Sequence, residues 1–375
     1  MRTTLQQISL SGFKSIRSAE VSLGNLNVLI GANGAGKSNF ISFFKLLNEM
    51  MAGRMQEHIA VSGRAQSMLY FGLKETQQIT VRLEFEAEKG KNTYDARLFL
   101  APGDSLFFAE ENLCFSPEGN KPPKLVKLGT GHQETRVGEF AEKDNKVAKT
   151  LLHFLNRSRV FHFHDTSPTA RIRSQYCYTG DNRWLMHDAG NLAAILYRLR
   201  HEENNNAYKQ IVRTIRLIAP FFDDFDLEPS GVANKEIILN WRQKGSDQIF
   251  GPHQFSDGTL RAICLISLLL QPVDEMPVII IIDEPELGLH PYALGVIAAL
   301  CKKASFYTQL LISTQSTSFL NHFDPEDIII TNRSLKETSF ERPESEKLSA
   351  WLEVVDMDGN RVDKVMVSLK PVVPA

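Results

Sequence analysis

One stretch leaves this chain few choices: Leu26-Asn27-Val28-Leu29-Ile30-Gly31-Ala32-Asn33-Gly34-Ala35-Gly36-Lys37-Ser38. Val28-Leu29-Ile30 reads as a short buried strand. It leads directly into Gly-x-x-x-x-Gly-Lys-Ser, the spacing of a phosphate-binding loop. Glycines let successive backbone N–H groups turn inward toward a polyphosphate, where a Cβ would obstruct them. Lys37 brings a charge to the β/γ-phosphates, and Ser38 offers a hydroxyl to Mg²⁺. A helix expected from Asn39 onward aims its positive end at the same phosphates. Phe40, Phe43, Phe44, Leu47, Met50 and Met51 recur at helical spacing, so the strand–loop–helix context is present. Asn33, Gly34, Ala35, Gly36, Lys37, Ser38 and Asn39 are the candidate phosphate-binding set.

Composition narrows what surrounds this loop. At 375 residues, 43% hydrophobic and 23% charged, the chain can bury a sizeable core. Lys+Arg number 42 against Asp+Glu 44, so any nucleic-acid surface has to be local. The apolar runs near 260–270 and 278–282 are too short to span a membrane. The start, Met1-Arg2-Thr3-Thr4, has no apolar stretch of the signal-peptide kind. Cys114, Cys177, Cys264 and Cys301 are scattered, which suggests reduced thiols and a cytoplasmic location.

Periodicity predicts strands over 5–10, 19–23 and 26–30 and a helix over 39–52. The mixed stretch 53–78 shows no period. Ile79, Val81, Leu83 and Phe85 alternate as a half-buried strand does. Further strands are expected at 94–99 and 106–108, followed by a polar surface excursion over 116–150. Helices are expected at 146–156, 190–201, 206–219, 258–270, 291–304 and 317–321. Strands are expected at 158–163, 236–241, 277–282, 308–313 and 327–331. Strands alternating with helices in the second half predict a parallel α/β sheet. Sustained heptads are absent, so no long coiled coil is expected.

Two further motifs carry chemistry. Val278-Ile279-Ile280-Ile281-Ile282-Asp283-Glu284-Pro285 is a buried strand ending in two acids. Asp283 suits Mg²⁺, and Glu284 suits orienting or deprotonating an attacking water. Before it lies Gln254-Phe255-Ser256-Asp257-Gly258-Thr259-Leu260-Arg261, a serine–glycine helix start and hence a second anion site. One molecule already has its phosphate cradle. The second is best explained by ATP sandwiched between two copies, each lending the other Ser256 and Gly258.

Taken in order, the phosphate loop, Ser256-Asp257-Gly258-Thr259 and Asp283-Glu284-Pro285-Glu286-Leu287-Gly288-Leu289-His290-Pro291 resemble the ABC-type ATPases of the RecF/SMC class. Stand-alone predicted AAA-family ATPases and the ATPase half of OLD-type nucleases are the most similar. Ile8-Ser9-Leu10-Ser11-Gly12-Phe13-Lys14-Ser15 and Phe161-His162-Phe163-His164-Asp165-Thr166-Ser167 also look like that group. The resemblance implies an α/β P-loop NTPase of ABC-ATPase type with an inserted helical/β subdomain and no long coiled coil. An ATP-binding core over 1–52 and 236–335, with strands from 79–115, would flank an arm at 116–235, and 336–375 would form a tail. ATP and Mg²⁺ are the implied ligands, with Ser38 and Asp283 on the metal. The implied function is an ATP-dependent dimer, open to larger assembly, that switches a separate effector in DNA repair or anti-phage defence.

One departure stands out. Most ABC ATPases carry a histidine after the strand at 308–313, whereas this chain has Ser313-Thr314-Gln315-Ser316. Gln315 can hydrogen-bond a phosphate oxygen or water but takes no proton at neutral pH, so slow turnover is expected. With Lys37 and Glu284 it completes the candidate catalytic set. Gln66 and the His164-Asp165 stretch are the candidates for the Mg²⁺-sensing loop. His162, His164 and Asp165 lack a further ligand for zinc. Arg157, Arg159, Arg171, Arg173 and Arg183, with Lys209, Arg213 and Arg216, could contact DNA phosphates or form a salt-bridged face. The stretch after Thr331 is too short for the Toprim nuclease domain of OLD proteins, although Asp356-x-Asp358 imitates part of one. An ABC-transporter ATPase subunit and a scaffold with little turnover are the competing functions.

Overall fold

A computed structural model describes residues 3–343 apart from Glu88, Asn120, Gln175, Gly231, Val232, Asn234, Leu335 and Lys336. Asp356 and Asp358 lie outside the described residues. The chain divides into two units, one running to Arg159 and resuming at Asp324, the other spanning Val160–Phe323.

The first unit opens with β1 (Thr4–Phe13), β2 (Ile16–Ser22) and β3 (Leu26–Ile30). Helix α1 (Lys37–Met51) follows, then the short α2 (Met55–Val61) and α3 (Arg64–Met68) within the stretch that showed no period. Next come β4 (Gln78–Ala87), β5 (Gly90–Ala101), β6 (Ser105–Pro117) and β7 (Lys124–Gly129). These four join β1 and β2 in an antiparallel sheet of order β2-β1-β4-β5-β6-β7. Ile79, Val81, Leu83 and Phe85 of β4 are buried, as their alternation predicts. The polar 116–150 stretch thus supplies an edge strand, with helices α4 (Val137–Glu142) and α5 (Lys146–Asn156) after it. The chain passes to the second unit through β8 (Ser158–Phe161).

The second unit holds α6 (Arg171–Ser174), β9 (Cys177–Tyr178), α7 (Leu192–His201), α8 (Asn206–Ile218), β10 (Phe222–Asp226), β11 (Glu236–Ile237), β12 (Asn240–Gln243) and β13 (Ile249–Phe250). Then come α9 (Asp257–Leu269), β14 (Ile279–Asp283), α10 (Pro291–Ser305), β15 (Gln309–Thr314) and α11 (Thr317–Leu320). Strands β14 and β15 pair in parallel, Ile279 opposite Gln309 through Asp283 opposite Ser313. Their isoleucines and leucines are buried on both faces, as a central parallel strand requires. The apolar α9 packs between α8 and α10.

The chain re-enters the first unit with β16 (Ile328–Ser334) and β17 (Glu337–Glu341). β16 runs parallel to β3 and antiparallel to β17. Glu337–Glu341, within the stretch expected as a tail, form this paired strand. The longest helices among the described residues are α1 and α10, of 15 residues each, so these residues form no long coiled coil. None of their helices is long and apolar enough to cross a membrane.

Candidate nucleotide site

The candidate residues fall in both units, and each set is built within its own. In the first unit all five residues of β3 are buried, which fixes where the loop begins. Helix α1 starts two residues earlier than the periodicity predicts, at Lys37. Its N-cap is Gly36, at φ 111°, and no side chain caps the helix. That conformation favours glycine, and a Cβ here would also collide with the Thr338 side chain. An uncapped N-terminus leaves first-turn N–H groups for an anion. Phe40, Phe43, Phe44, Leu47, Met50 and Met51 are all buried, so α1 is anchored along its length. Lys37 is 4% exposed, and its ammonium donates to the carbonyls of Gly31 at 2.5 Å and Ala32 at 3.1 Å. The ammonium is held on carbonyls of the loop that precedes it.

The loop is braced from residues that its motif does not contain. Thr338, fully buried on β17, lies 2.9 Å from the Ala35 carbonyl and 2.8 Å from Ser15 Oγ. Asn39 Nδ2 donates to Ser15 Oγ at 2.7 Å. Arg333 donates to the Gly34 carbonyl at 3.1 Å. Asn39 thus works on the frame of the loop. Lys14, at φ 49°, donates to Ser42 Oγ at 2.8 Å, and burial with Lys45 nearby lowers its pKa. Gln66 sits on α3, its backbone N–H donating to Asp104 at 2.9 Å.

In the second unit Asp283 ends β14. Its Oδ1 is buried and has no hydrogen-bond partner among the described residues. A buried, unpaired carboxylate oxygen is costly, and it is the donor type a hard cation takes, so Asp283 fits Mg²⁺. His164 Nε2–H donates to the Asp283 carbonyl at 2.7 Å, setting the backbone at that point. Glu284 follows at φ 44°, a left-handed conformation that costs a non-glycine residue about 1–3 kcal/mol. Its N–H donates to the Ser313 carbonyl at 2.7 Å, which holds the kink. Gln315 donates its side-chain amide to Glu284 Oε1.

Ser256 caps α9, accepting from Thr259 N–H at 3.2 Å, and is exposed. Gly258 packs so closely on the Gly288 carbonyl that a Cβ would collide with it. The cap is aimed by contacts that periodicity does not reveal. Trp241 stacks on Phe255 with ring centroids 4.4 Å apart. Arg261 reaches the carbonyls of Phe163 at 3.2 Å, His164 at 2.8 Å and Leu287 at 3.1 Å. It ties α9 to both the histidine stretch and the loop after Glu284. Its presence inside the serine motif is the only signal of this in the sequence.

Two other stretches singled out in the sequence lie in this unit. Arg173 faces inward, 7% exposed at its side chain, donating to the Thr166, Pro252 and Phe255 carbonyls and pairing with Asp257 at 2.6 Å. That pairing holds the Asp257 carboxyl below its ordinary pKa. Arg171 donates to Asp188 at 3.4 Å. Arg173 thus serves the fold around the start of α9. The rings of His162 and His164 stand 6.0 Å apart, and Asp165 accepts from Ser167 N–H at 3.0 Å. Among the described residues no group of three or more His, Cys, Asp or Glu is placed to hold a metal.

A buried strand entering a glycine-led helix, a parallel strand closed by two acids, and a serine-capped helix are the parts of an ABC-type P-loop ATPase of the RecF/SMC class. The family model described as "AAA domain, putative AbiEii toxin, Type IV TA system" matches residues 26–321, and the chain belongs to that AAA-domain family. Among solved structures it is similar to an Smc head bound to the C-winged helix domain of ScpA. The TM-score is 0.61 at 14% identity, covering 92% of this chain and 99% of that one. It is also similar to an Smc head domain with an extended coiled coil, bound to the C-terminal domain of ScpA, derived from Pyrococcus furiosus. There the TM-score is 0.58 at 14% identity, covering 94% and 99%. These likenesses concern the fold. No curated protein matches the sequence significantly.

Proposed function

We propose that the chain binds and hydrolyses ATP, that ATP joins two copies head to head, and that the joined state switches a separate effector in DNA repair or anti-phage defence. The observation that carries the reading is the pair at the end of β14. Asp283 keeps a buried carboxylate oxygen unpaired, and Glu284 is held in a left-handed kink beside it. Gly34, Ala35 and Gly36 supply backbone N–H groups to the phosphates, with Asn33 and Asn39 at the ends of the cradle. Lys37 meets the β/γ-phosphates, and Ser38 and Asp283 are the residues that would hold Mg²⁺, whose charge would offset that of the phosphates. Glu284 orients water for attack on the γ-phosphate. Ser256 and Gly258 of one copy meet the γ-phosphate held by Lys37 of the other. The exposure of Ser256 supports this role. Smc heads of this fold bind another protein, which supports the effector part of the reading.

The test uses Glu284→Gln, which keeps shape but loses the charge that activates water. It should retain ATP, turn over little, and accumulate as engaged heads in a cysteine cross-link across the seam. Adding Ser256→Arg should separate the heads again. Wild-type hydrolysis by Glu284→Gln, or equal engagement without nucleotide, would sink the mechanism.

A further inference from the structure

Glu286 has no part in the chemistry above, yet it sits at the centre of a hydrogen-bonded ring. Its Oε1 accepts from Thr314 Oγ1 at 2.6 Å and from Gln315 N–H at 2.9 Å. Gln315 then donates its side-chain amide to Glu284 Oε1. Glu284 N–H returns to the Ser313 carbonyl at 2.7 Å, which closes the ring across the ends of β14 and β15. Thr314 is fully buried, and its hydroxyl also accepts from Ser316 N–H at 3.0 Å. The turn carrying Gln315 is therefore fixed on both sides, and Glu286 is the one acceptor that two of its donors share. Glu286 Oε2 is buried without a hydrogen-bond partner among the described residues. A carboxylate kept at that cost marks a residue whose other oxygen has a demanding task.

We propose that Glu286 is a positioning residue: it sets the turn after β15 so that the Gln315 amide grips Glu284, and it affects turnover only through Gln315. The proposal rests on the ATPase reading for its kinetic consequence, while its geometry stands apart from turnover. Without the Glu286 carboxylate, the Gln315 amide loses its fixed origin, and the Glu284 carboxylate samples orientations unproductive for water.

A double-mutant cycle reads this directly. Glu286→Ala is expected to lower kcat about tenfold, with KM and ATP affinity unchanged. Glu286→Gln keeps an Oε1 acceptor and should hold kcat within about threefold of wild type. Gln315→Leu should lose as much as Glu286→Ala, and the double variant no more than either. Losses that multiply in the double variant, or a Glu286→Gln as slow as Glu286→Ala, would overturn the proposal. Should Glu286→Ala fail to fold, the isosteric Thr314→Val enters the same cycle. A second readout is independent of hydrolysis. In ¹⁵N-glutamine-labelled protein, the side-chain amide signal that disappears in Gln315→Leu should shift in both Glu284→Gln and Glu286→Ala. An unmoved signal in Glu286→Ala overturns the proposal. Absence of turnover in wild type would fail the ATPase reading alone, since the amide signal still decides the positioning role.

Discussion

Replacing Thr338 by Val tests whether the phosphate loop is held by β17. The Ala35 carbonyl can only accept, so the single Thr338 hydroxyl proton goes to it. Ser15 Oγ, 2.8 Å away, is a second acceptor for the same Thr338 hydroxyl and also accepts from Asn39 Nδ2. Asn39, Ser15, Thr338 and Ala35 are thereby linked in a row, with the Thr338 hydroxyl as the donor to the loop carbonyl. Valine preserves the volume and the β-branch but removes the third member. The Ala35 carbonyl then loses the donor that Thr338 supplied, at about 1–3 kcal/mol for a buried unsatisfied group. Ser15 keeps Asn39 and adds little. A loss of about 2 kcal/mol corresponds to a fall in Tm of about 4–8 °C for a unit of this size. If the same relaxation precedes phosphate binding, ATP affinity falls by up to about thirtyfold. Thermal denaturation with and without ATP, together with titration calorimetry, measures both. Thr338→Ser keeps the hydroxyl and should retain wild-type affinity. A Thr338→Val protein with unchanged Tm and affinity would refute the brace.

Lys37→Ala should abolish calorimetric ATP binding while circular dichroism stays unchanged; unaltered affinity in folded protein would remove the phosphate-loop assignment. Tyr94 gives a pH prediction. Its phenol is fully buried and donates to Glu111 at 2.9 Å, and burial with the Glu111 charge raises its pKa well above the ordinary value. An unfolded tyrosine ionises near about pH 10, so this contribution is whole below that pH and is lost as pH rises further, at up to about 1.4 kcal/mol per pH unit. Urea midpoints should therefore fall on the alkaline side, and Tyr94→Phe should flatten that fall; an identical alkaline slope in the variant would contradict the assignment.

Elements with a strong local period are legible in the sequence. Helices α1, α8 and α9 and strands β3, β4 and β14 bury the side chains their spacing points to, because one face of each must leave water. The phosphate loop and the acid pair are legible for a different reason. Their chemistry depends on residue types at fixed short separations, and glycine at 36 or two acids after an isoleucine run leave few alternatives. Weakly periodic stretches behave otherwise. Helices α2 and α3 are too short to carry a pattern, and Glu134 caps the first by accepting from Met55 and Gln56 N–H groups at 2.8 and 2.9 Å. Strand β7 buries only Leu128, so its sequence reads as a polar surface, and β6 is what makes it an edge strand.

What the sequence alone determined was the inventory of candidates: a glycine-led loop before a helix, two acids at the end of a buried strand and a serine-capped helix. Tertiary structure decided what supports each of them. Thr338 reaches a loop some three hundred residues before it, Arg173 spends its charge on α9 instead of on a surface, and Glu286 governs Gln315 across two strand ends. A hydrogen bond depends on distances of a few ångströms in space and is blind to separation along the chain. Residues joined in this way need share no period and no motif, so only the folded backbone could bring their partners into view.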